Sequence, residues 1–166
     1  MKNSLIKSTS QSLKHSNTRN AVTSLKVVVF GINNLNFGLR IETVYKVLHQ
    51  TPVYSSGLNS VGIAHIGDRE ITVVDLHRRL FQSSMTNQTQ QGVYLIVVQN
   101  TDGELYGIPV EAAPALMDVP FSTIRALPES YRHADTLGIA SSVAVIPQTD
   151  GTPLTLFLVD VEQILK

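Results

Sequence analysis

The chain contains no cysteine, which removes any disulfide framework, thiol nucleophile or thiolate zinc site and suits a reducing compartment. Long hydrophobic runs are also missing. Stretches such as Val27 to Phe30 fall far short of the roughly 18 apolar residues needed to span a bilayer, so no membrane insertion is expected. Neither sign of charge is in surplus, because 13 Lys and Arg balance 13 Asp and Glu. That balance excludes the broad basic field on which general nucleic-acid binding depends. Aromatic residues make up only 6% of the chain, and Tyr45 and Tyr54 are too sparse for a base-stacking platform. What remains is a soluble globular chain of 166 residues, 43% hydrophobic, able to bury about two-thirds of its unfolded surface.

The zero net charge hides an asymmetry. Lys2, Lys7, Lys14, Arg19 and Lys26 are the only charges up to position 26, and everything after it holds all 13 acids against 8 bases. The opening stretch is rich in Ser, Thr, Asn and Gln and poor in apolar residues, so residues 1–25 are expected to be a disordered basic tail. A secretory signal needs an apolar stretch of roughly 7 to 15 residues, which is absent; the low arginine content also departs from an organellar transit peptide.

Strand signals dominate from residue 26. The apolar run Lys26 to Ile32 ends at Asn33-Asn34, a pair that tolerates a tight hairpin turn. Leu35, Phe37 and Leu39 then alternate with Asn36, Gly38 and Arg40, the period of a half-buried strand. Thr43 to Leu48 is again β-rich, and Val61 to Ile66 and Glu70 to Val74 flank Gly67-Asp68. Asp75 leads into one helical turn, Leu76 to Phe81. The second half follows the same plan. Val93 to Val98 and Glu104 to Val110 flank Asp102-Gly103, Ala113 to Met117 parallels Thr43 to Leu48, and Val143 to Ile146 and Leu154 to Val159 flank Asp150-Gly151. Asp160 leads into a helical turn, Val161 to Leu165.

Residues repeat as well as elements. Phe37-Gly38-Leu39-x-Ile41-Glu42 returns in the second half as Tyr106-Gly107-Ile108-x-Val110-Glu111, and Val74-Asp75-Leu76 returns, at a longer interval, as Val159-Asp160-Val161. Such self-similarity predicts two copies of one supersecondary unit. The unequal intervals make the second copy the longer, and its extra length is assigned to 118–141, where Pro114, Pro120 and Pro128 interrupt the pattern. The expected architecture is mainly β. Two linked five-stranded barrels, residues 26–81 and 93–166, carry short helices and are joined by a linker at 82–92. Barrels hide the sheet edges that would otherwise aggregate. Gly38 and Gly107 are expected to mark a close backbone approach inside them.

No catalytic motif stands out. Asp75 and His77 have the spacing of a carboxylate-oriented imidazole or half a metal site. The competing assignment, favoured because Asp160 occupies the same place with Glu162 two residues on, makes Asp75 a helix N-cap. His65 reads as a strand-end residue, His49 and His133 lie beside loops, and His15 lies in the tail. There is no His-Glu-x-x-His, Gly-x-Ser-x-Gly or phosphate loop, and the serines at 55–56 and 141–142 have no identifiable partner. No enzyme activity, metal or cofactor is expected. The alternative from another class is a small-ligand-binding or hydrolytic barrel built on Asp75 and His77.

The run Phe37-Gly38-Leu39-x-Ile41-x-x-Val44-x-x-Val47, then Gly62-Ile63, then Ile71 to Leu76, resembles the CheW family of chemotaxis adaptors. The second half agrees through Tyr106-Gly107-Ile108-x-Val110-Glu111, Ile124-Arg125-x-x-Pro128 and Leu156 to Leu165, so the resemblance covers residues 26 to 166. It implies intertwined SH3-like barrels and a cytoplasmic, non-enzymatic adaptor. Such an adaptor couples methyl-accepting chemoreceptors to a CheA-type histidine kinase in chemotaxis, phototaxis or twitching, and leaves room for self-association. The strand through Ile41, Val44 and Lys46, with Val61 and Gly62 beside it, is implied to meet a partner barrel. The turn His65, Gly67, Asp68 and Arg69 is implied as a second contact. Two departures stand out. His65-Ile66-Gly67-Asp68 replaces the family's Asn-Leu-Arg-Gly, and Lys46 stands where an acidic residue is common. An orphan adaptor with a non-kinase partner is the reading these changes leave open.

Overall fold

A computed structural model describes residues 23–55, 59–82, 94–132 and 137–164. The tail ahead of residue 23, the expected linker from residue 83 onward, Ser56 and His133 lie outside the described residues. The first half supplies β1 (Ser24–Ile32), β2 (Leu35–Arg40), β3 (Val44–His49), β4 (Val53–Ser55), β5 (Val61–Ile66), β6 (Arg69–Val74) and α1 (Leu76–Phe81). The second supplies β7 (Tyr94–Gln99), β8 (Leu105–Val110), β9 (Ala115–Pro120), β10 (Ile124–Ala126), α2 (Glu129–Arg132), β11 (Ala140–Ile146) and β12 (Leu154–Val159). Each half therefore has six strands rather than the five expected. The additional ones, β4 and β10, are three residues long, too short for alternation to register.

The strands form two six-stranded sheets, ordered β10-β11-β12-β2-β1-β9 and β3-β7-β8-β6-β5-β4. Exchanging β1–β6 with β7–β12 turns one order into the other, which is the duplication written in topology. The halves are not side by side, however. Hairpin β1–β2 lies between β9 and β12 of the second half, and hairpin β7–β8 lies between β3 and β6 of the first. Division of the sequence at the linker thus does not coincide with division into sheets. In both sheets the two outermost strands are consecutive in sequence. Three residues, 50–52, separate β3 from β4, and the 3-10 turn Phe121–Thr123 separates β9 from β10. A connector that short spans about 14 Å at most, so each sheet curls until its ends approach.

Register explains why the two motifs recur at unequal intervals. Gly38 stands opposite Leu158 and Gly107 opposite Val73, both in parallel pairs. The shorter interval links the two glycines and the longer one links their partners. The second copy's extra length is divided between two places. Part precedes β11, where β10 and α2 lie. Part is the connection from Ile146 to Leu154, far longer than the two-residue turn from Ile66 to Arg69.

Three clusters of buried side chains fill the molecule. The largest joins the sheets and takes Phe37, Leu39, Val74 and Leu76 from the first half with Tyr106, Ile108, Val159 and Ile164 from the second. A second, inside one sheet, contains Val27, Val119, Ala144, Leu156 and Leu158. The third, inside the other, contains Ala64, Ile71, Val73, Leu95 and Val97. Residues 27–30 of β1 and 95–98 of β7 are uninterrupted apolar runs because both faces are covered. Val28 and Phe30 face the joint core while Val27 faces its own sheet's interior, and Ile96 and Val98 against Leu95 and Val97 divide likewise.

Glycine is required where β2 and β8 face those interiors. A Cβ on Gly107 would lie 2.8 Å from Leu95 Cδ1, and one on Gly38 3.2 Å from Leu156 Cδ2 and Leu158 Cδ2. Asp75 and Asp160 both cap the turns that follow. The Asp75 carboxylate accepts the Arg78 N–H at 3.1 Å, and that of Asp160 accepts the Glu162 N–H at 3.0 Å. Polar ties reinforce this packing, the first between halves and the other two within the second half. Arg79 Nη2 donates to the Gln163 carbonyl at 3.1 Å, the Thr101 N–H donates to Glu162 Oε1 at 2.8 Å, and the Tyr106 hydroxyl donates to the Val161 carbonyl. Burial, then the nearby Glu162, Asp160 and Glu104 carboxylates, push the Tyr106 hydroxyl up to about 12.

Gly107→Ala is expected to lower the unfolding free energy by about 1–3 kcal/mol through overpacking against Leu95, and Gly38→Ala by less, as read from denaturant titration. Asp75→Ala and Asp160→Ala should each cost about 1 kcal/mol as lost caps. Tyr106 generates a pH signature. Its folded-state pKa exceeds the ordinary value of about 10, so its contribution is complete below pH ~10 and declines as pH rises toward 12. Tyr106→Phe should flatten that alkaline limb relative to wild type in unfolding curves collected from pH 9 to 12.

Candidate partner-binding surface

Ile41 opens the 3-10 turn Ile41–Thr43 that leads from β2 into β3, and the Thr43 hydroxyl fastens this turn by donating to the Arg40 carbonyl at 2.7 Å. Val44, half-buried, packs against the joint core. The register then slips, with Val44 opposite Val98 and Lys46 opposite Val97. Two residues on β3 therefore span one step of β7, the signature of a bulge. Tyr45 is the extra residue and turns outward, and Lys46 places its Nζ 5.6 Å from the Tyr45 ring centroid. Strand β3 is outermost in its sheet; a bulge and an exposed lysine are the usual protections of such an edge.

Strand β5 is arranged inside out by size. Its small residues Gly62 and Ala64 are buried, whereas Val61, Ile63 and His65 face outward. Ile63 lies opposite Tyr54 on β4 and Thr72 on β6, and the His65 ring meets Tyr54 edge-on with centroids 6.2 Å apart. Tyr54, Val61 and Ile63 are 63%, 45% and 41% exposed, an apolar strip on the outer face. Beyond it Gly67 takes φ of +59°, and with Asp68 it closes a two-residue turn between Ile66 and Arg69. His65, Gly67, Asp68 and Arg69 are all exposed.

The structure therefore separates the implied contact residues into two groups. Ile41, Val44 and Lys46 lie at one end of the strand order, and Val61, Gly62 and the turn lie near the other, with β7, β8 and β6 between them. Only the curl of the sheet, which ties β3 to β4 through residues 50–52, draws the groups toward one another. Tyr54 and Ile63 belong to this surface and were not singled out from sequence. The signal was the alternation of small and bulky residues along β5, which does not by itself say which set is inside. The second sheet carries Arg125 opposite Val143, where the first has Tyr54 opposite Ile63. Tyr54 thus has no apolar counterpart on the second sheet, although Val145 of β11 is exposed there.

The hydrolytic alternative finds no support at its two residues. Asp75 spends its carboxylate on the helix cap, and His77 Nε2 lies 2.8 Å from Asn33 Oδ1. His77, Asn33, Pro109 and Glu111 border a recess of about 20 Å³ in which Asp75 has no part, room for about one water molecule. His49 stacks on Tyr94 with ring centroids 4.4 Å apart. Among the described residues no group of His, Asp and Glu could hold a metal ion, no charged side chain is buried, and no helix is long and apolar enough to cross a membrane.

No curated protein matches the chain. Among solved structures, the scaffolding protein TtCheW from Thermoanaerobacter tengcongensis shares the fold, with a TM-score of 0.65 at 20% identity over 83% of this chain and 90% of that one. Residues 26–166 match the CheW-like domain, which is every element described above from β1 to the final turn, and the chain therefore belongs to the CheW-like domain family.

Proposed function

We propose that this scaffolding domain is a cytoplasmic, non-enzymatic adaptor that couples methyl-accepting chemoreceptors to a CheA-type histidine kinase in a chemotaxis-like system. Membership of the CheW-like family supplies the class of partner. The observation that carries the surface is β5, where bulky residues are exposed and small ones buried. A strand that serves only its own core places its large side chains inward; this one presents them to another protein. An apolar centre with a polar rim is the anatomy of a protein contact, and here Tyr54, Val61 and Ile63 form the centre, with His65, Asp68 and Arg69 as the rim.

The β3 edge is the second part of the proposed surface. Val44, Ile41 and the backbone of the bulge can pack against a partner barrel, with Lys46 at the margin. Because Lys46 brings a positive charge, its partner is expected to offer a carboxylate opposite, and a kinase with a basic residue there should bind poorly. Contacts of ordinary size bury roughly 1,600 Å² in total, and both groups are assigned to partner contacts.

The test is a binding titration against the cognate kinase and a conventional one. Ile63→Asp and Val44→Arg should each weaken cognate binding by at least tenfold, while circular dichroism melts confirm that Ile63→Asp remains folded. Lys46→Glu should weaken the cognate pair and strengthen the conventional one. Unchanged affinity in Ile63→Asp and Lys46→Glu would place the interface elsewhere. Wild-type chain that binds neither kinase would identify an orphan adaptor with a non-kinase partner.

A further inference from the structure

We infer that two copies of this chain can exchange halves, giving a dimer in which each globule is built from the first half of one copy and the second half of the other. The inference rests on how completely the halves interlock. Every strand pair between them involves an exchanged hairpin: β1 with β9, β2 with β12, β7 with β3, and β8 with β6. The hairpin β1–β2 touches no other strand of its own half in the sheet, and β7–β8 touches none of its own. Nor is either half's core complete without the other. Val27 needs Val119 and Leu156, Leu95 needs Ala64 and Ile71, and the joint cluster draws on both.

None of these contacts specifies which copy supplies the partner half. A chain folding beside another satisfies the same four junctions and the same three cores whether it closes on itself or on its neighbour. Reciprocal exchange of this kind is a low-cost route to a two-fold dimer, since only the connecting segment must differ. Residues 83–93 make that connection, and a segment of this length reaches about 40 Å when extended. Tethering favours self-closure until the concentration of other copies approaches the effective concentration of the tethered half, on the order of 1 mM. Once formed, the exchanged dimer persists on dilution, because separating it breaks all four junctions. Such a dimer carries two copies of the Tyr54–Ile63 strip and would engage two partners at once.

The absence of cysteine permits a direct test. Lys26 on β1 and Asp118 on β9 are register partners, both exposed, with Nζ and Oδ1 4.0 Å apart. Paired Cα atoms at such positions are about 4.5–5.5 Å apart, within the span of a disulfide. Full-length Lys26→Cys and Asp118→Cys chains are unfolded, mixed, refolded together and oxidised. Exchange predicts a covalent heterodimer whose yield rises severalfold between about 10 µM and about 1 mM chain during refolding, well above the homodimers from either variant alone. The chain with both substitutions, refolded dilute, should close its bridge as a monomer and so verifies the geometry. Light scattering on refolded wild type supplies an independent reading, a species of twice the chain mass that survives dilution. Heterodimer yield equal to the homodimer background, together with a purely monomeric wild type after refolding at about 1 mM, overturns the inference.

Discussion

The joint core between the sheets is the constraint on which the remainder of the structure depends. Phe37 and Tyr106, both fully buried, occupy equivalent places in the repeat and enter the same cluster from opposite halves. Each sits beside a glycine, and each glycine faces the interior of a single sheet, where leucines fill the space a Cβ would need. One face of β2 and β8 thus holds the sheets together while the other lets each sheet close around its own small core. Enlarging either glycine crowds the leucines of one sheet's interior.

That arrangement consumes the bulky apolar residues of the exchanged hairpins and leaves polar chemistry at the periphery. Tyr106 is the sole buried side chain among the described residues with a titratable group, and its hydroxyl is engaged by the Val161 carbonyl. The aspartates that might have served chemistry instead cap turns, where free backbone N–H groups need an acceptor. The surface we propose for a partner lies outside, on β3 and on the β4–β5 strip. The two copies of the repeat have diverged there. Arg125 and Tyr54 hold corresponding places, so the same topology presents an apolar face on one sheet and a charged residue on the other.

Much of the fold was legible beforehand because hairpins and caps are local. Gly67-Asp68 and Asp150-Gly151 lie where the turns are, Gly67 and Gly151 taking positive φ as such turns require. Asp75 and Asp160 were recognisable as caps because their repeat positions agreed while their neighbours, His77 and Glu162, did not. The short strands β4 and β10 were not legible, since three residues hold less than two periods of alternation. The proposed contact surface was partly legible. Val61 and Gly62 were named through family resemblance, but Tyr54 and Ile63 emerged only when β4 was seen beside β5.

By itself the sequence determined that the chain is a β-rich duplication without disulfides or thiol chemistry, where its turns fall, and which glycines and aspartates carry equivalent duties. These follow from local backbone preference and from composition, which act over a few residues and need no partner strand. Tertiary structure alone decided that each half lends its first hairpin to the other and that β5 turns its small residues inward. Period-two alternation fixes which residues share a face but leaves the choice of face, and of neighbouring strand, to whichever arrangement buries more apolar surface. Val27 and Val28 read alike in the sequence. Their destinations, one inside a sheet and one between sheets, were set by strands of the second half, remote along the chain.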